Sequence, residues 1–479
     1  MKRILIIVMF GLMINGLTLA QEGKIKPNIL FIMTDQQNFF TMKAYGNHII
    51  QTPALNKLAD QSVVFQNAYV TQPVCAPSRG SLVTGLFPHN HGVINNDYAL
   101  STDILTLPEL INDSEYQSAY IGKWHLGNEV FRQRGFNTWV SMEDGYYDEY
   151  SEGNDKNKRS DYHNWLVKKG YSPNLPNNNR FSRKFASKLP IKHCKPYFLQ
   201  EKAIEFLENT GNQPFVMYVS FLEPHRPYNG PLNDLYNPEE MPLPSNFNDV
   251  FDDNDPSTYR KILTKTKELY GEDEKAYKEL LAKYWGLVTQ VDKSVGAIID
   301  KLENLGLSEN TIVVYTSDHG SMMGAHKLVS KDVMYEESVR VPYLLKYPSL
   351  GNKHRIVRER VSQIDIVPTL LDLLGNTIPE GLDGESLLPF LNLEELYNKD
   401  IFIEWHKPNM RTVISMDGWK LVMIPNDKSL LFNLNSDPLE TTNLYYKPEY
   451  KEVISVLKKK IEDWKKKTKD DQIIVELND

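Results

Sequence analysis

Three apolar runs in this chain each end in residues able to hold a metal ion or move a proton. Pro27-Asn28-Ile29-Leu30-Phe31-Ile32-Met33 leads into Thr34-Asp35-Gln36-Gln37. Pro214 to Phe221 leads into Glu223-Pro224-His225, and Thr311 to Ser317 leads into Asp318-His319-Gly320. Carboxylate and carboxamide oxygens suit a hard divalent cation such as calcium, so Asp35, Gln36 and Asp318 are candidate ligands, with His319 a less typical one. Short motifs add cations and proton carriers: Lys123 and His125 in Gly122-Lys123-Trp124-His125-Leu126-Gly127, His225 before Arg226-Pro227, and Lys331 shortly before Tyr335. Lys123 and His125 stand at i and i+2, which face the same side if that stretch is extended. A metal, several cations and two or more histidines fit transfer of a tetrahedral oxyanion, and phosphate and sulfate esters both qualify. Any one of these residues alone is more often a cap, a turn or a surface charge. The recurrence at three strand ends is what carries weight.

Elements must bring these ends together. Short, continuous apolar runs are the pattern of strands buried on both faces of a parallel sheet. Open α/β sheets place ligands at the carboxyl ends of such strands. Helices are expected over Pro53 to Gln61, over Ser78 to Thr84 with Pro77 near the first turn, and over the amphipathic stretch Glu274 to Leu305. Alternating strands and helices imply an α/β domain over 21–384. Residues 146–195 are rich in Asn, Asp, Ser, Lys and Tyr and poor in aliphatics, the composition of a loop-rich surface insertion that could face substrate. Residues 385–479 change character: Thr412 to Ser415 and Trp419 to Ile424 flank an Asp417-Gly418 turn, and a helix is expected from Glu449 to Lys467. This stretch is expected to be a smaller α+β domain.

Residues 1–20 have a basic start at Lys2-Arg3, an apolar run and small residues at Thr18-Leu19-Ala20, the pattern of a secretory signal peptide. The apolar run is too short for a membrane span, so an exported chain, periplasmic or secreted, with no stable membrane association is expected. A net charge of −8 and the lack of a long basic stretch argue against a nucleic-acid partner. The lysines at 458–460 and 465–467 read as a solvated helix face. Only Cys75 and Cys194 are available, so one disulfide at most can form; if Cys75 has another task, Cys194 is a buried or unpaired thiol.

Cys75-Ala76-Pro77-Ser78-Arg79 resembles the Cys-x-Pro-x-Arg signature of the type I, formylglycine-dependent sulfatases of the alkaline phosphatase-like superfamily. The strand and loop 28–36, Gly122 to Gly127, Ser317 to Gly320, Tyr335 to Val341 and the stretch Leu431 to Glu440 resemble further motifs of that family, in the same order. The resemblance implies a large, mostly parallel sheet sandwiched by helices, and a Cys75 converted to formylglycine by a separate sulfatase-maturating enzyme. One hydroxyl of the hydrated aldehyde would attack sulfur, and the other would allow sulfate to be expelled. By the same resemblance Asp35, Gln36, Asp318 and His319 would hold calcium beside residue 75. Arg79 would hold the formylglycine hydroxyl, Lys123 and Lys331 would bind sulfate oxygens, His125 would take the proton that triggers release, and His225 would protonate the leaving alcohol. Gln36 stands where many members have a second aspartate, and His319 where many have asparagine. Lys327 competes with Lys331, whose spacing to Tyr335 is the better match. His326 is assigned to substrate contact, with a supporting role as the alternative.

The implied activity is hydrolysis of a sulfate ester of a sulfated polysaccharide or oligosaccharide. The resemblance does not separate an algal polysaccharide such as ulvan from a glycosaminoglycan. A phosphodiesterase or phosphonate monoester hydrolase of the same superfamily is the first alternative, and a non-catalytic sulfated-glycan binding protein the second.

Overall fold

Alternate side chains of the first strand, β1 (Asn28–Asp35), enter opposite hydrophobic clusters: Ile29, Phe31 and Met33 on one face, Leu30 and Ile32 on the other. A strand covered on both faces has no use for the polar-out alternation of a surface strand, which is why its sequence is continuously apolar. The computed structural model describes residues 26–176, 180–249, 251–350, 353–393, 399–407 and 409–472, so the expected signal peptide at 1–20 lies outside the described residues. Among the described residues no helix is long and apolar enough to cross a membrane.

The other strands of the large sheet are β2 (Val63–Tyr69), β3 (Gln117–Gly122), β4 (Thr138–Ser141), β5 (Phe215–Pro224), β6 (Thr311–Ser317), β7 (Arg340–Lys346) and β8 (Arg355–Ser362). Their order is β4-β3-β5-β1-β6-β7-β2-β8. Only β7 runs antiparallel to its neighbours, so the sheet is mostly parallel, as expected. The strands that end in the motifs above, β3, β5, β1 and β6, are contiguous and parallel, so their carboxyl ends form one edge. At that edge Gly122 has φ 126°, and a Cβ there would sit 2.0 Å from the Ser220 carbonyl oxygen of β5, so only glycine lets these two strands approach as they do.

The helix expected over Glu274 to Leu305 spans Glu274–Asn304, capped by the Asp273 side chain, and buries Tyr284, Leu287, Val288, Val291, Val295 and Ile298. The helix expected from Ser78 begins instead at Cys75 (Cys75–Thr84). A proline needs no partner for its missing N–H anywhere in the first turn, so Pro77 marks the interior of that turn and not its outer limit. The 146–195 segment is less loop-like than its composition suggests. Ser160 caps a helix over Asp161–Lys168, and Tyr162, Leu166 and Phe181 pack into the cluster under the sheet.

The C-terminal stretch forms β9 (Ile401–His406), β10 (Asn409–Ile414), β11 (Trp419–Met423) and β12 (Leu430–Asn433), an antiparallel sheet of order β12-β11-β10-β9. The expected hairpin pairs Thr412 with Val422. One face, with Val413, Leu421 and Leu431, is covered by the terminal helix Lys451–Thr468 through Ile454, Leu457 and Ile461. The other face, with Ile403, Met410, Val422 and Phe432, joins the same cluster as Ile29 and Phe31. Buried Lys420 of β11 reaches Glu336 (3.0 Å) and Glu440 (2.8 Å), tying the small sheet to the loop that follows β6.

Candidate active site

Cys75 sits at the first position of its helix, and Arg79 follows one turn later on the same face. Both are buried under the carboxyl edge of the large sheet. Arg79 is fully engaged: Nε donates to Asp318 Oδ2 (2.8 Å), Nη1 to the Lys123 carbonyl (2.8 Å) and Ser220 Oγ (2.8 Å), and Nη2 to Asp35 Oδ2 (3.2 Å). One guanidinium thus pins the ends of β1, β3, β5 and β6. Lys123 Nζ also lies on Asp35 Oδ2 (2.5 Å).

The two carboxylates divide their oxygens. Each Oδ2 is taken by a fixed cation, while each Oδ1 faces His319 and that of Asp35 also faces Cys75. Asp35 Oδ1 lies 3.7 Å from Cys75 Sγ and 3.8 Å from His319 Nε2. Asp318 Oδ1 lies 3.5 Å from His319 Nε2 and accepts the backbone N–H of Gln36 (3.0 Å). Asp35, Cys75, Asp318 and His319 each offer one ligand atom, all within 4.8 Å of one another.

These groups fit a divalent cation. His319 Nδ1 is 2.9 Å from the Gly320 carbonyl, which fixes Nε2 as the atom free to ligate, as in many metal-bound histidines. The Gln36 carboxamide nitrogen donates to Tyr228 Oη (2.8 Å) and Ser321 Oγ (3.1 Å), leaving its oxygen as the ligand atom. Tyr284 Oη bridges the Gln36 carbonyl and the Asn38 N–H at 2.8 and 2.7 Å, fixing the loop after β1. Oxygen-rich donors of this kind suit calcium, and the imidazole narrows but does not remove that fit.

Lys331 Nζ lies 2.9 Å from Cys75 Sγ and 3.0 Å from His319 Nε2. Lys327, its competitor, instead extends over the Phe247 ring at 5.5 Å. Burial and Asp35 push the Cys75 thiol up, but Lys123, Lys331 and His319 outweigh them, so it is held below the ordinary thiol range. Burial lowers Lys123 and Lys331 too, yet the surrounding anions keep both charged.

His125 and His225 are buried at the same edge. Lys123 and His125 are not brought together by strand alternation: His125 has φ 60°, so the chain turns there. Glu129, whose role the sequence did not suggest, accepts the backbone N–H groups of Trp124 (2.9 Å) and His125 (2.6 Å) and holds that turn. His125 packs at a tilt against Tyr146 with ring centroids 4.4 Å apart, and its Nδ1 is buried with no hydrogen-bond partner among the described residues. Burial, then Lys123 and Arg79, hold it well below the usual histidine range, so the free ring is neutral. His225 Nδ1 lies 2.8 Å from the Arg226 carbonyl, leaving Nε2 as the ring nitrogen available to a ligand. Burial, the largest cause, holds its pKa well below the usual histidine range; Asp35 opposes this, and Lys331, Lys123 and Arg183 add to it.

His326 joins none of these contacts. It is buried, 2.7 Å from Asp249 Oδ2 through Nδ1 and 3.1 Å from Asn246 Nδ2 through Nε2, and it stacks on Tyr335 at 3.9 Å. Both ring nitrogens and one ring face are thus occupied by the protein, an arrangement that suits the supporting role given as the alternative to substrate contact. Besides Glu129, sequence reasoning missed Ser220, Tyr146 and Arg183. Ser220 is disguised inside an apolar strand, and Tyr146 and Arg183 lie in the polar segment read as a loop. Cys194 is free and buried, as is Cys75, so no disulfide links them.

Residues 27–376 match the family described as Sulfatase, and residues 324–467 match N-sulphoglucosamine sulphohydrolase, C-terminal. The chain belongs to the sulfatase family. It is a sulfuric ester hydrolase with an alkaline phosphatase-like fold. This sulfatase is 30% identical to the ulvan-active sulfatase of Formosa agariphila over 92% of its own length and 81% of that protein. A structure solved in complex with its substrate D-glucosamine-2-N,6-O-disulfate is 26% identical to this sulfatase, with a TM-score of 0.74 over 93% of this chain and 99% of the other. The phosphonate monoester hydrolase of Agrobacterium radiobacter shares the fold, with a TM-score of 0.77 at 22% identity, over 92% of this chain and 96% of that one.

Proposed function

We propose that this sulfatase is exported and removes a sulfate ester from a sulfated saccharide, using calcium and a formylglycine made from Cys75. The observation that carries this reading is the convergence on Cys75 Sγ of Lys331 (2.9 Å), His319 (3.2 Å) and Asp35 (3.7 Å), within a Cys-x-Pro-x-Arg helix start.

The residues divide the work. Lys123 and Lys331 bind the oxygens of the incoming sulfate, whose negative charge relieves their mutual repulsion. Arg79 holds residue 75 in register with Asp35 and Asp318. Asp35, Gln36, Asp318 and His319 hold calcium, which when bound polarises sulfate and favours ionisation of the nucleophile. Formylglycine at position 75 supplies, as its hydrate, two hydroxyls on one carbon. His225 delivers a proton to the departing alcohol; burial first, and then the neighbouring cations, keep the free ring neutral, and the charge of a bound anionic ester favours its protonation. His125 removes the proton whose loss releases sulfate. The burial of Cys75 at 2% exposure supports maturation before the fold closes. The charge pattern of residues 1–20 supports export to the periplasm or beyond, and the composition change supports a catalytic unit over 21–384 followed by 385–479.

The test is a desulfation screen of the matured enzyme against defined sulfated oligosaccharides, alongside paired aryl sulfate and aryl phosphate diester substrates. Release of sulfate from a saccharide is expected. A clear preference for phosphate diesters would overturn the proposal in favour of the hydrolase alternative. Matured protein that binds sulfated saccharides without turning any over would point to the binding protein instead.

A further inference from the structure

Beside the buried site lies a cleft of about 400 Å³ lined by Arg183, Lys184, Arg226, Pro227, Tyr228 and Tyr270. Its walls are joined to the site at three points. Arg226 follows His225 directly. Tyr228 Oη accepts from the Gln36 carboxamide at 2.8 Å. Arg183 Nη2 donates to Tyr146 Oη at 2.6 Å, and Tyr146 packs against His125. The cleft is thus linked to the side of the site that carries His125 and His225.

Its charge is one-sided. No acidic residue lines it among the described residues. Arg183 is neutralised by Glu143, which also takes Lys195 at 2.8 Å. Lys184 and Arg226 are exposed, and neither side chain forms an ion pair among the described residues. The acidic neighbour of Arg226 is Asp332, which is shared with Lys331, His319 and Lys265. Unpaired cations at the rim of a cavity are costly to dehydrate and gain most from an anion brought in by a ligand. Tyr228 and Tyr270, with ring centroids 6.3 Å apart and planes inclined at 48°, give the cleft an aromatic wall against which a sugar ring can pack.

We propose that this cleft binds a second anionic group of the substrate, a carboxylate or a further sulfate on the saccharide, through Arg226 and Lys184. The inference deepens the sulfated-saccharide reading and rests on it. It makes the preferred substrate a saccharide carrying at least two negative charges, with the scissile sulfate held below and the second anion held at the rim.

Binding is measured by calorimetry on protein whose Cys75 remains a thiol, so that no turnover intervenes. The probes are N-acetylglucosamine 6-sulfate, glucosamine 2-N,6-O-disulfate and a monosulfated disaccharide carrying a uronate. Wild type is expected to bind at least one doubly charged probe about tenfold more tightly than the singly charged one, with the preference weakening as salt is raised. Arg226→Ala and Lys184→Ala should each cut that preference several-fold, and the double variant should bring it below about twofold. Whichever of the uronate or the disulfate loses more identifies the anion. A wild-type preference below twofold, or one unchanged in the double variant, overturns the inference. Turnover of 4-nitrophenyl sulfate by the matured wild type tests the sulfatase chemistry separately, so the two readings fail in different experiments.

Discussion

Lys331 Nζ stands 2.9 Å from Cys75 Sγ although 256 residues separate them in the chain. The loop after β6 brings the lysine back over the start of the Cys75 helix, and among the described residues no other touches both Cys75 and His319 as closely. Lys331→Ala should therefore lower kcat/KM by about 10²–10³, the range for losing one oxyanion-binding group. Lys327→Ala, whose side chain lies over Phe247, should stay within about threefold. Steady-state assays on one sulfated substrate check both, and equal losses would reverse the assignment.

Cys75→Ala should reduce turnover by at least about a thousandfold while leaving the thermal midpoint close to wild type, because the side chain supplies the nucleophile and little packing. Cys75→Ser should fare no better over many turnovers, since a single hydroxyl offers no route to expel sulfate. Near-normal activity in Cys75→Ala would refute the mechanism.

Calcium removal should cost both activity and stability. With calcium at about a hundred times its Kd, binding contributes about 2.7 kcal/mol to the folded state. Chelation should lower the melting temperature reversibly, and Asp318→Asn should remove the calcium-dependent part of the shift. Melting curves with chelator and with added calcium read this directly; an Asp318→Asn protein that still responds fully to calcium would contradict the ligand set.

His326→Ala should destabilise more than it inactivates. It removes a buried stack on Tyr335 and contacts to Asp249 and Asn246, a loss of about 2–3 kcal/mol. KM should change less than about threefold, because the ring meets no substrate. A large KM effect at unchanged stability would favour the substrate-contact role.

The His89–Glu404 pair sets a pH dependence away from the site. Burial lowers the His89 pKa, but Glu404, 2.6 Å away, outweighs it and raises the value above the usual histidine range. A raised histidine stabilises fully below its unfolded pKa of about 6.5 and loses that contribution as pH rises through the folded value. Burial raises Glu404 too, but His406 and His89 win and hold it below the carboxylate range, so its share is lost only in acid. His89→Gln should thus show a larger drop in melting temperature at pH 6 than at pH 9. Equal drops would mean the charge contributes nothing.

The chemistry at the strand ends is legible in the chain because a buried parallel strand leaves an unbroken apolar run, and the first polar residues after it fall at the sheet edge. Asp35, Asp318, His319 and His225 are all found that way. The helix start at Cys75 is misread because Pro77 is compatible with several positions in a first turn. Arg183 and Tyr146 are hidden by composition: a segment poor in aliphatics still packs when Tyr162, Leu166 and Phe181 anchor it. The surroundings of His326 are not legible, because its neighbours in sequence are site residues, whereas its neighbours in space are Asn246, Asp249 and Tyr335. Short-range spacing carries no information about such distant partners.

The buried contacts of Lys420 with Glu336 and Glu440 place the small sheet in the same mechanical unit as the loop bearing Lys331. Lys420 brings a charge out of water on behalf of two carboxylates that belong to different parts of the chain, and its departure would strand both. The last hundred residues are therefore no detachable tail. Trimming them would disturb the grip on the sulfate from behind, and heat should melt the whole molecule in a single cooperative step.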